Sequence, residues 1–205
     1  MARIAILGGT GNVGQRLTAE ALRRGHAVTV IARKAPATPF PEGVTFVQGD
    51  VTAPEDGLAK SLAGSDVLIS ATRFADVTAD QVLTLVREAG IPQLLVVGGA
   101  GSLEVAPGKR LVDTPEFPDA YKSEALPGAD FLDTLRGVTD VDWSFLSPAA
   151  MFGPGERTGT FRLGGDQLLV DAAGESRISY EDFAVAMLDE VDDPHHSRAR
   201  FTIAY

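Results

Sequence analysis

The residues that most clearly suggest a chemistry are the glycines near the start of the chain. Gly8, Gly11 and Gly14 are spaced three residues apart and follow the apolar stretch 4–7. Glycines at this spacing permit a tight turn and let backbone N–H groups approach a pyrophosphate, while the helix that follows directs its partial positive charge at the phosphates. The turn therefore predicts a dinucleotide site. The residues predicted to form it are Gly8, Thr10, Gly11, Asn12, Val13 and Gly14.

Two cations follow the second predicted strand. Arg33 and Lys34 come directly after residues 26–32, at the point where an NAD site would carry an Asp or Glu for the ribose hydroxyls. The guanidinium of arginine offers a planar fork of donors that matches a phosphate, and the turn itself contains no carboxylate to repel one. This pattern favours NADP as the cofactor, with NADPH preferred over NADH. A solvated basic loop is the alternative.

The third predicted strand, 44–48, ends in an aspartate. Asp50 and Val51 follow it at the sheet edge nearest the adenosine half of the cofactor. In similar folds an aspartate here contacts the adenine amino group, and the following backbone covers the ring. Asp50 is equally suited to cap a segment that starts near Ala53.

The fourth and fifth predicted strands, 66–71 and 93–98, end in small residues, which suit a close approach to the cofactor. Arg73 either reaches a phosphate or stays exposed in its loop. The residues assigned to the cofactor site at these two strand ends are Ala71, Thr72, Arg73, Gly98 and Gly99.

These residues need elements that bring strand ends together. The strand candidates are residues 3–8, 26–32, 44–48, 66–71, 93–98 and 142–147. Stretches with helical spacing or loops separate them, and Thr78 with Gln81 resembles a capping box that opens a helix ending at Gly90. The alternation predicts an α/β fold with a Rossmann-type, doubly wound parallel sheet. We expect one domain over residues 1–205, with a cofactor-binding core at 1–147 and substrate-side loops and C-terminal elements at 148–205.

Two segments are predicted to wall the substrate side. Residues 99–120 are rich in Pro and Gly and predict a long loop, and residues 147–160 follow the last core strand. Beyond them, Ser179 and Asp182 form a capping box for a helix over residues 180–191. Residues 201–205 predict a last strand.

The composition limits the classes of partner. The chain has 205 residues, of which 44% are hydrophobic, enough for one core around a single sheet. A net charge of −10 opposes nucleic-acid phosphates and anionic membranes, and no apolar run is long enough to span a bilayer. The chain contains no cysteine, which excludes disulfides and cysteine zinc sites. We expect a cytoplasmic protein with neither nucleic-acid nor membrane partners, and a homodimer stays open.

Residues near the C-terminus contain metal-binding side chains. His195 and His196 lie close to Asp192 and Asp193. They follow Pro194, however, with no helical or strand spacing to bring the donors together, so we expect no metal site.

Five stretches resemble a known family: residues 8–14, 97–103, 142–148, 155–159 and 178–184. They are similar to those of small atypical short-chain dehydrogenases/reductases, related to NmrA-like proteins and biliverdin reductase B and often described as NAD(P)H-flavin reductases. The likeness covers nearly the whole chain. It implies hydride transfer from the nicotinamide to an acceptor such as a flavin, quinone or tetrapyrrole, with no obligatory tyrosine acid.

The resemblance also implies roles near the nicotinamide. Ser102 stands where short-chain reductases position their serine. In extended reductases a proline after the last core strand places backbone amides against the nicotinamide carboxamide, and Pro148 matches it. Ala149 and Met151 follow, with Met151 either covering the ring or packing. Arg157 either orients an anionic or carbonyl substrate or is solvated.

Tyr121 departs from the superfamily's usual acid. That chemistry needs a Tyr with a Lys four residues on, so that both share a helical face and the ammonium lowers the pKa of the phenol. Here Ala125 occupies that position, Lys122 lies on another face, and Pro127 with Gly128 predicts an interruption of the helix. Tyr121 is therefore predicted to be a wall of the pocket, with proton donation as the alternative.

Three functions are consistent with these residues. The first is an NADPH-dependent oxidoreductase acting on a flavin, quinone or similar acceptor, with Ser102 and Tyr121 as candidate catalytic residues. The second is a non-catalytic NADP sensor of NmrA type that binds a protein partner, for which a missing tyrosine–lysine pair is equally natural. The third, a sugar epimerase or dehydratase, is disfavoured by the short C-terminal part and by the missing pair.

The cations after the second strand predict a cofactor preference. Because Arg33 and Lys34 suit a 2′-phosphate, we expect NADPH to bind more tightly than NADH. Calorimetric titration of the folded protein with each nucleotide measures the difference. Equal affinities would contradict the assignment to NADP, and the absence of heat from either nucleotide would contradict the dinucleotide site itself.

Overall fold

The computed structural model describes residues 1–36, 38–53 and 57–205, and its strands and helices alternate along most of the chain. Within these residues the strands are β1 (Arg3–Leu7), β2 (Ala27–Ala32), β3 (Val44–Gln48), β4 (Val67–Ser70), β5 (Gln93–Val97), β6 (Glu104–Ala106), β7 (Lys109–Arg110), β8 (Asp142–Ser147), β9 (Met151–Gly153), β10 (Arg162–Gly164), β11 (Arg177–Ser179) and β12 (Ala199–Ala204). The helices are α1 (Asn12–Arg23), α2 (Leu58–Ser61), α3 (Ala79–Ala89), α4 (Asp119–Arg136) and α5 (Tyr180–Asp192), and a 3-10 turn spans Leu111–Asp113. None of these described helices has both the length and the apolar character needed to cross a membrane.

Among the described strands, eight form one sheet in the order β10-β12-β8-β5-β4-β1-β2-β3. Neighbours are parallel except for β10 and β12, which are antiparallel. From β1 the chain builds outward through β2 and β3 on one side, and then through β4, β5 and β8 on the other. Such a reversal opens a crevice at the carboxyl ends of the strands. The predicted doubly wound, Rossmann-type α/β fold is confirmed, and β10 and β12 from the segment 148–205 extend its sheet.

Helices cover both faces of the sheet because alternate strand residues point to opposite sides. Ile4 and Ile6 belong to a core that includes residues of α1 and α5. Ala5 and Leu7, which alternate with them, belong to a core formed with α2, α3 and α4. The sheet therefore separates two apolar layers and leaves its carboxyl edge for the loops.

Side-chain caps set the starts of two helices. The capping box predicted for α3 is confirmed, since Gln81 N donates to Thr78 Oγ1 at 3.4 Å and Thr78 N donates to Gln81 Oε1 at 2.9 Å. At α5 only half of the predicted box forms. Asp182 N donates to Ser179 Oγ at 2.9 Å, but the Asp182 carboxylate turns away to another loop.

The segment 99–120 is not the long loop that its prolines and glycines predict. β6 and β7 form an antiparallel hairpin whose connection contains Gly108 at φ +72°, a left-handed conformation that favours glycine in tight hairpin turns. Backbone hydrogen bonds tie the hairpin to a distant loop, with Glu104 N donating to Asp166 O at 2.8 Å and Leu168 N donating to Glu104 O at 2.9 Å. These long-range bonds stabilise a structure that local sequence does not indicate.

α4 runs without a break from Asp119 to Arg136, so the predicted interruption at Pro127 and Gly128 is wrong. Proline removes the N–H that would bond to the carbonyl of Ser123, but Ser123 is exposed and solvent can replace that donor. Gly128 gives the helix a close contact, because a Cβ there would lie 2.8 Å from the Phe74 ring. Packing against the sheet outweighs the local cost of the proline.

A buried carboxylate ties α1 to its surroundings. Glu20 is 5% exposed and accepts hydrogen bonds from Arg23, Arg24 and Arg157 at 2.6 to 3.1 Å. Arg24 also donates to Asp192 at the end of α5, at 2.8 Å. Burial alone raises the pKa of Glu20, but the three guanidiniums outweigh it and hold that pKa far below its ordinary value.

Removing the Glu20 charge is expected to destabilise the fold. We expect Glu20→Gln to lower the free energy of unfolding at neutral pH by about 1–3 kcal/mol, because partly exposed guanidiniums lose their common partner. Since folding lowers this pKa, the advantage of the carboxylate is full above the unfolded value of about 4.3 and is lost as the pH falls through the folded pKa. Urea denaturation of both proteins at a series of pH values measures the difference.

The matched control is Glu88→Gln, which removes an exposed carboxylate from α3. We expect it to change the free energy of unfolding by less than about 0.5 kcal/mol at any of these pH values. A Glu20→Gln deficit that widens in acid would contradict the assignment.

Candidate functional site

A cavity of about 610 Å³ lies across the carboxyl ends of β1, β2, β3 and β4. The predicted cofactor residues that line it are Gly8, Thr10, Gly11, Arg33, Lys34, Asp50, Val51, Ala71, Thr72 and Arg73. The remaining residues of the glycine turn, Asn12, Val13 and Gly14, form the first turn of α1 beside it. The fold thus brings four separate strand ends to one crevice.

The turn between β1 and α1 has no room for a side chain at Gly8 or at the start of α1 at Gly14. Gly8 has φ +82°, and a Cβ there would lie 2.6 Å from the carbonyl oxygen of Ala71, at the end of β4. A Cβ at Gly14 would lie 2.4 Å from the carbonyl oxygen of Gly8. Glycine is required at both positions, because α1 packs on the turn and the turn packs on the backbone after β4.

The N-terminus of α1 differs from those of α3 and α5. Gly11 is its N-cap, no side chain caps it, and its first turn contains no acidic residue. By contrast, Thr78 caps α3 and Ser179 caps α5, and both of those helices have carboxylates in the first turn. The first turn of α1 therefore leaves its N–H groups and partial positive charge for an anion, which fits a diphosphate.

Cations border the same cavity at the end of β2. Arg33 and Lys34 are exposed and line it, as Arg73 does from the loop after β4. Arg73 lies 3.5 Å from Glu124, and its side chain is 69% exposed. The cavity also contains Asp50, close enough for the charge of Arg33 to contribute to a lowered pKa of that carboxylate.

The carboxylate of Asp50 accepts hydrogen bonds from within its own turn. Its Oδ1 accepts hydrogen bonds from the hydroxyl of Thr52 at 2.7 Å and from its backbone N–H at 2.9 Å. The hydroxyl and then the backbone bond are the main causes that lower the pKa of Asp50. Ala53 lies in a bend rather than at a helix start, so the alternative role of Asp50 as a helix cap is not found there. Residues 54–56 lie outside the described residues.

A second, larger cavity of about 1330 Å³ adjoins the first, since Arg73 lines one and Phe74 lines the other. It covers the carboxyl ends of β5 and β8 and the start of α4. The predicted site residues that line it are Gly98, Gly99, Ser102, Tyr121 and Met151. Pro148 and Ala149 are buried and are not among the described residues that line it, whereas Ala150 is.

The helix face of Tyr121 carries no lysine. Tyr121 is 65% exposed at the rim of the larger cavity. The ammonium of Lys122 lies 2.7 Å from Asp119 on the same helix. Ala125 occupies the position four residues after Tyr121, and a Cβ on Gly101 would lie 2.8 Å from its Cβ. That position therefore serves close packing between α4 and the loop after β5.

A glycine-rich segment closes the far side of the larger cavity, and we call residues 154–160 the strap. Its backbone is held by carboxylates of α5, with Gly155 N donating to Glu181 at 2.9 Å and Gly159 N donating to Asp182 at 2.7 Å. Thr158 Oγ1 also donates to Asp182, at 2.6 Å, and Asp182 is fully buried. The strap is thus fixed to α5, and several of its residues, Glu156 among them, line the cavity.

Two further contacts at the strap were not anticipated from sequence. Arg157 pairs with Glu20 at 2.9 and 3.1 Å and so anchors the strap to α1, a role beyond the substrate contact or solvation considered for it. The hydroxyl of Tyr205 donates to Asp182 at 2.8 Å. Burial, with a smaller contribution from Asp182, raises the pKa of Tyr205. The only sequence signal at Asp182 was its capping position.

Glu124 is a second residue that the sequence analysis missed. Its carboxylate accepts hydrogen bonds from the backbone N–H groups of Phe74 at 2.7 Å and Ala75 at 3.2 Å. It thereby holds the turn between the two cavities against α4. Its position three residues after Tyr121 places both on one helical face, which is the signal that could have revealed it.

The histidines near the C-terminus have other partners. His196 Nδ1 lies 2.7 Å from Glu190 Oε2, and its ring stacks on Phe201. His195 Nε2 lies 3.1 Å from Asp193. In the part of the chain that the structure describes, no three His, Cys, Asp or Glu residues are arranged to hold a metal ion.

Comparison with known proteins gives a family match and close structural neighbours. The profile of a family described as NAD(P)H-binding matches residues 8–194. A Burkholderia pseudomallei structure, provisionally named an exported protein, is 45% identical, with 100% of both chains covered and a TM-score of 0.90. A Bacteroides thetaiotaomicron structure, provisionally named an epimerase, is 40% identical over 100% of this chain and 97% of that chain, with a TM-score of 0.92. A Streptococcus pneumoniae structure, provisionally named an NADH-flavin reductase, is 33% identical over 100% of this chain and 99% of that chain, with a TM-score of 0.85.

A methyl group at Gly11 tests the anion site with a smaller change to the turn than one at Gly8 or Gly14 would cause. A Cβ there would meet a single backbone oxygen, that of Gly8, at 3.3 Å. We expect Gly11→Ala to weaken NADPH binding by at least about tenfold, or about 1.4 kcal/mol, because the methyl group lies where the backbone must approach the diphosphate. Calorimetry measures the affinity, and thermal unfolding checks the fold.

The control is Gly137→Ala at the end of α4, where a Cβ would also meet one backbone oxygen, that of Thr134, at 3.4 Å. We expect this control to bind NADPH as the parent protein does. The site assignment is wrong if Gly11→Ala, with an unchanged melting temperature, binds NADPH equally well.

Proposed function

Because the chain belongs to the NAD(P)H-binding family, we propose that it is an NADPH-dependent oxidoreductase that delivers hydride to a small conjugated acceptor such as a flavin or quinone. The family match and the similar structures confirm the resemblance to atypical short-chain dehydrogenases/reductases. The observation that carries the proposal is the pair of adjoining cavities at the carboxyl edge of the sheet, one suited to a diphosphate and one open to an acceptor.

In this proposal the smaller cavity holds the adenosine and diphosphate half of the cofactor. The first turn of α1 donates its N–H groups to the diphosphate. Arg33 binds the 2′-phosphate through its planar fork, with Lys34 adding charge. Among the described residues that line this cavity, the cations Arg33, Lys34 and Arg73 outnumber the carboxylates Asp50 and Asp76. That balance supports NADPH over NADH.

A bound reduced nicotinamide supplies a hydride, and a flavin or quinone that accepts the hydride takes one further proton from solvent. NADPH, a proton and the oxidised acceptor thus yield NADP⁺ and the two-electron-reduced acceptor. The protein then has to supply proximity and orientation. Gly98 and Gly99 allow close approach on the side of β5, and the anchored strap keeps the opposite wall in place. A reaction of this kind needs no side-chain acid with a shifted pKa.

Ser102 and Tyr121 are the residues proposed to contact the acceptor. Both line the larger cavity, and Ala125 at the usual lysine position leaves Tyr121 without an activating ammonium on its helical face. We assign Tyr121 to the wall of the acceptor site, where its aromatic ring suits a planar ligand. Met151 lines the same cavity and is 52% exposed, as a residue covering a flat ring would be.

Other functions fit the residues less well. Epimerase chemistry, suggested by the name of the Bacteroides thetaiotaomicron protein, relies in this superfamily on the tyrosine–lysine pair, which is missing here. A non-catalytic NADP sensor remains the alternative and is an outcome of the test below. A cytoplasmic location and a homodimer stay predictions, and the Burkholderia pseudomallei protein is named as exported.

Turnover with simple acceptors tests the proposal. We expect the protein to consume NADPH, followed at the nicotinamide absorbance band, when riboflavin, FMN or a soluble quinone is present, and to consume NADH more slowly at equal concentration. The Gly11→Ala protein is the matched control for free-flavin chemistry and should be slower. Tight NADPH binding with no turnover across these acceptors would contradict the oxidoreductase and favour the sensor.

A further inference from the structure

We propose that the larger cavity prefers an uncharged acceptor, and that Glu116 and Glu156 are specificity-determining residues that disfavour phosphorylated flavins relative to uncharged ones. The inference rests on the proposed function, because it concerns the acceptor of that reaction. Its basis is the distribution of charge around the larger cavity, which differs from that around the smaller one.

Among the charged side chains of the described residues that line the larger cavity, carboxylates outnumber cations three to one. These side chains are Glu116, Glu124, Glu156 and Arg177. Glu124 already accepts two backbone hydrogen bonds, from Phe74 and Ala75. Glu116 and Glu156 are exposed and line the cavity from two separate segments, one before α4 and one in the strap. A phosphate that enters the cavity therefore approaches both negative charges.

Arg177, the one cation among the described residues that line this cavity, has two loose contacts of its own. Arg177 Nε lies 3.8 Å from Glu175, and its guanidinium carbon lies 5.9 Å from the centre of the Tyr205 ring. A phosphate would have to compete with both contacts. These contacts are weak, so the charge of the site is decided by the three carboxylates that line it beside this single guanidinium.

Three cations next in sequence to residues that line the larger cavity are paired with carboxylates. Arg157 is bound to Glu20, and Lys122 to Asp119. A third pair, Arg110 with Asp113, lies 2.8 Å apart. Each pairing removes a cation that would otherwise attract an anionic acceptor.

The helix N-termini near this cavity do not offset the negative charge of its carboxylates. Asp119 stands in the first turn of α4, and Glu181 and Asp182 stand in the first turn of α5, where Ser179 also caps the helix. Their partial positive charge is thus already met by carboxylates. Only the first turn of α1, in the smaller cavity, is left without such groups among the longer described helices that border the two cavities.

Riboflavin and FMN are the matched pair of probes, because they share one isoalloxazine ring and differ by a phosphate that carries about −1.5 to −2 charges. At about 10 mM salt, where the Debye length is about 30 Å, we expect kcat/KM for riboflavin at saturating NADPH to exceed that for FMN by about tenfold. At about 1 M salt, where it is about 3 Å, the ratio should fall below about threefold. A ratio measured in one buffer cancels the effect of salt on NADPH binding.

A binding measurement gives a readout that needs no turnover. Quenching of flavin fluorescence by the protein, with NADP⁺ present, reports the affinity for each oxidised flavin. We expect riboflavin to bind more tightly than FMN, and we expect this difference in affinity to narrow as the salt concentration rises.

Neutralising the two carboxylates tests whether they cause the preference for riboflavin over FMN. We expect Glu116→Gln combined with Glu156→Gln to lower the riboflavin-to-FMN ratio at low salt by about threefold or more. The control is Glu42→Gln combined with Glu88→Gln, which removes the same charge just before β3 and β5, at the amino edge of the sheet. It should leave the ratio within about 1.5-fold of the parent value, since screening limits distant charges.

The outcomes separate this inference from the proposed function. Turnover of both flavins with FMN equal or preferred at low salt, or a ratio that salt does not change, overturns the inference alone. A ratio that falls equally in the control protein overturns the assignment to Glu116 and Glu156. If no flavin or quinone binds or turns over, the proposed function fails, and this inference fails with it.

Discussion

The contact between the first glycine turn and the backbone after β4 is the constraint on which the rest of the structure depends. With no side chain at Gly8, the turn lies against the carbonyl of Ala71, and with none at Gly14, α1 lies against the turn. This close packing aims the uncapped start of α1 at the point where the sheet reverses direction. A phosphate-binding end and the gap between β1 and β4 thus coincide, which is what a dinucleotide needs.

Carboxylates of α1 and α5 then position the strap. Glu20 draws the strap to α1 through Arg157, and Glu181 and Asp182 hold the strap backbone to α5. Buried charges of this kind are costly unless every partner is in place, so they favour one position of the strap over its alternatives. The strap, which forms part of the wall of the larger cavity, is therefore positioned by electrostatic pairing as well as by packing.

The two cavities differ in charge because the cations and helix N-termini around them have different partners. Around the smaller one, an uncapped helix start and the cations Arg33 and Lys34 suit phosphates. Around the larger one, Arg157 and Lys122 are neutralised by partners. A ligand with phosphates at one end and an uncharged ring at the other matches this gradient, and the gradient would orient it along the edge of the sheet.

Much of the fold followed from local sequence. Strands β3 and β8 have the bounds that their apolar runs predict, and the Thr78 box opens α3, because alternation and capping act between near neighbours. The glycine turn was identified for the same reason.

Tertiary structure alone decided the features that depend on partners distant in the sequence. α4 continues through Pro127 because Gly128 packs on Phe74, residues 99–120 form a hairpin because they bond to the loop at Asp166, and Arg157 meets Glu20 across 137 residues. No local pattern encodes such contacts, since their energy exists only once the chain has folded.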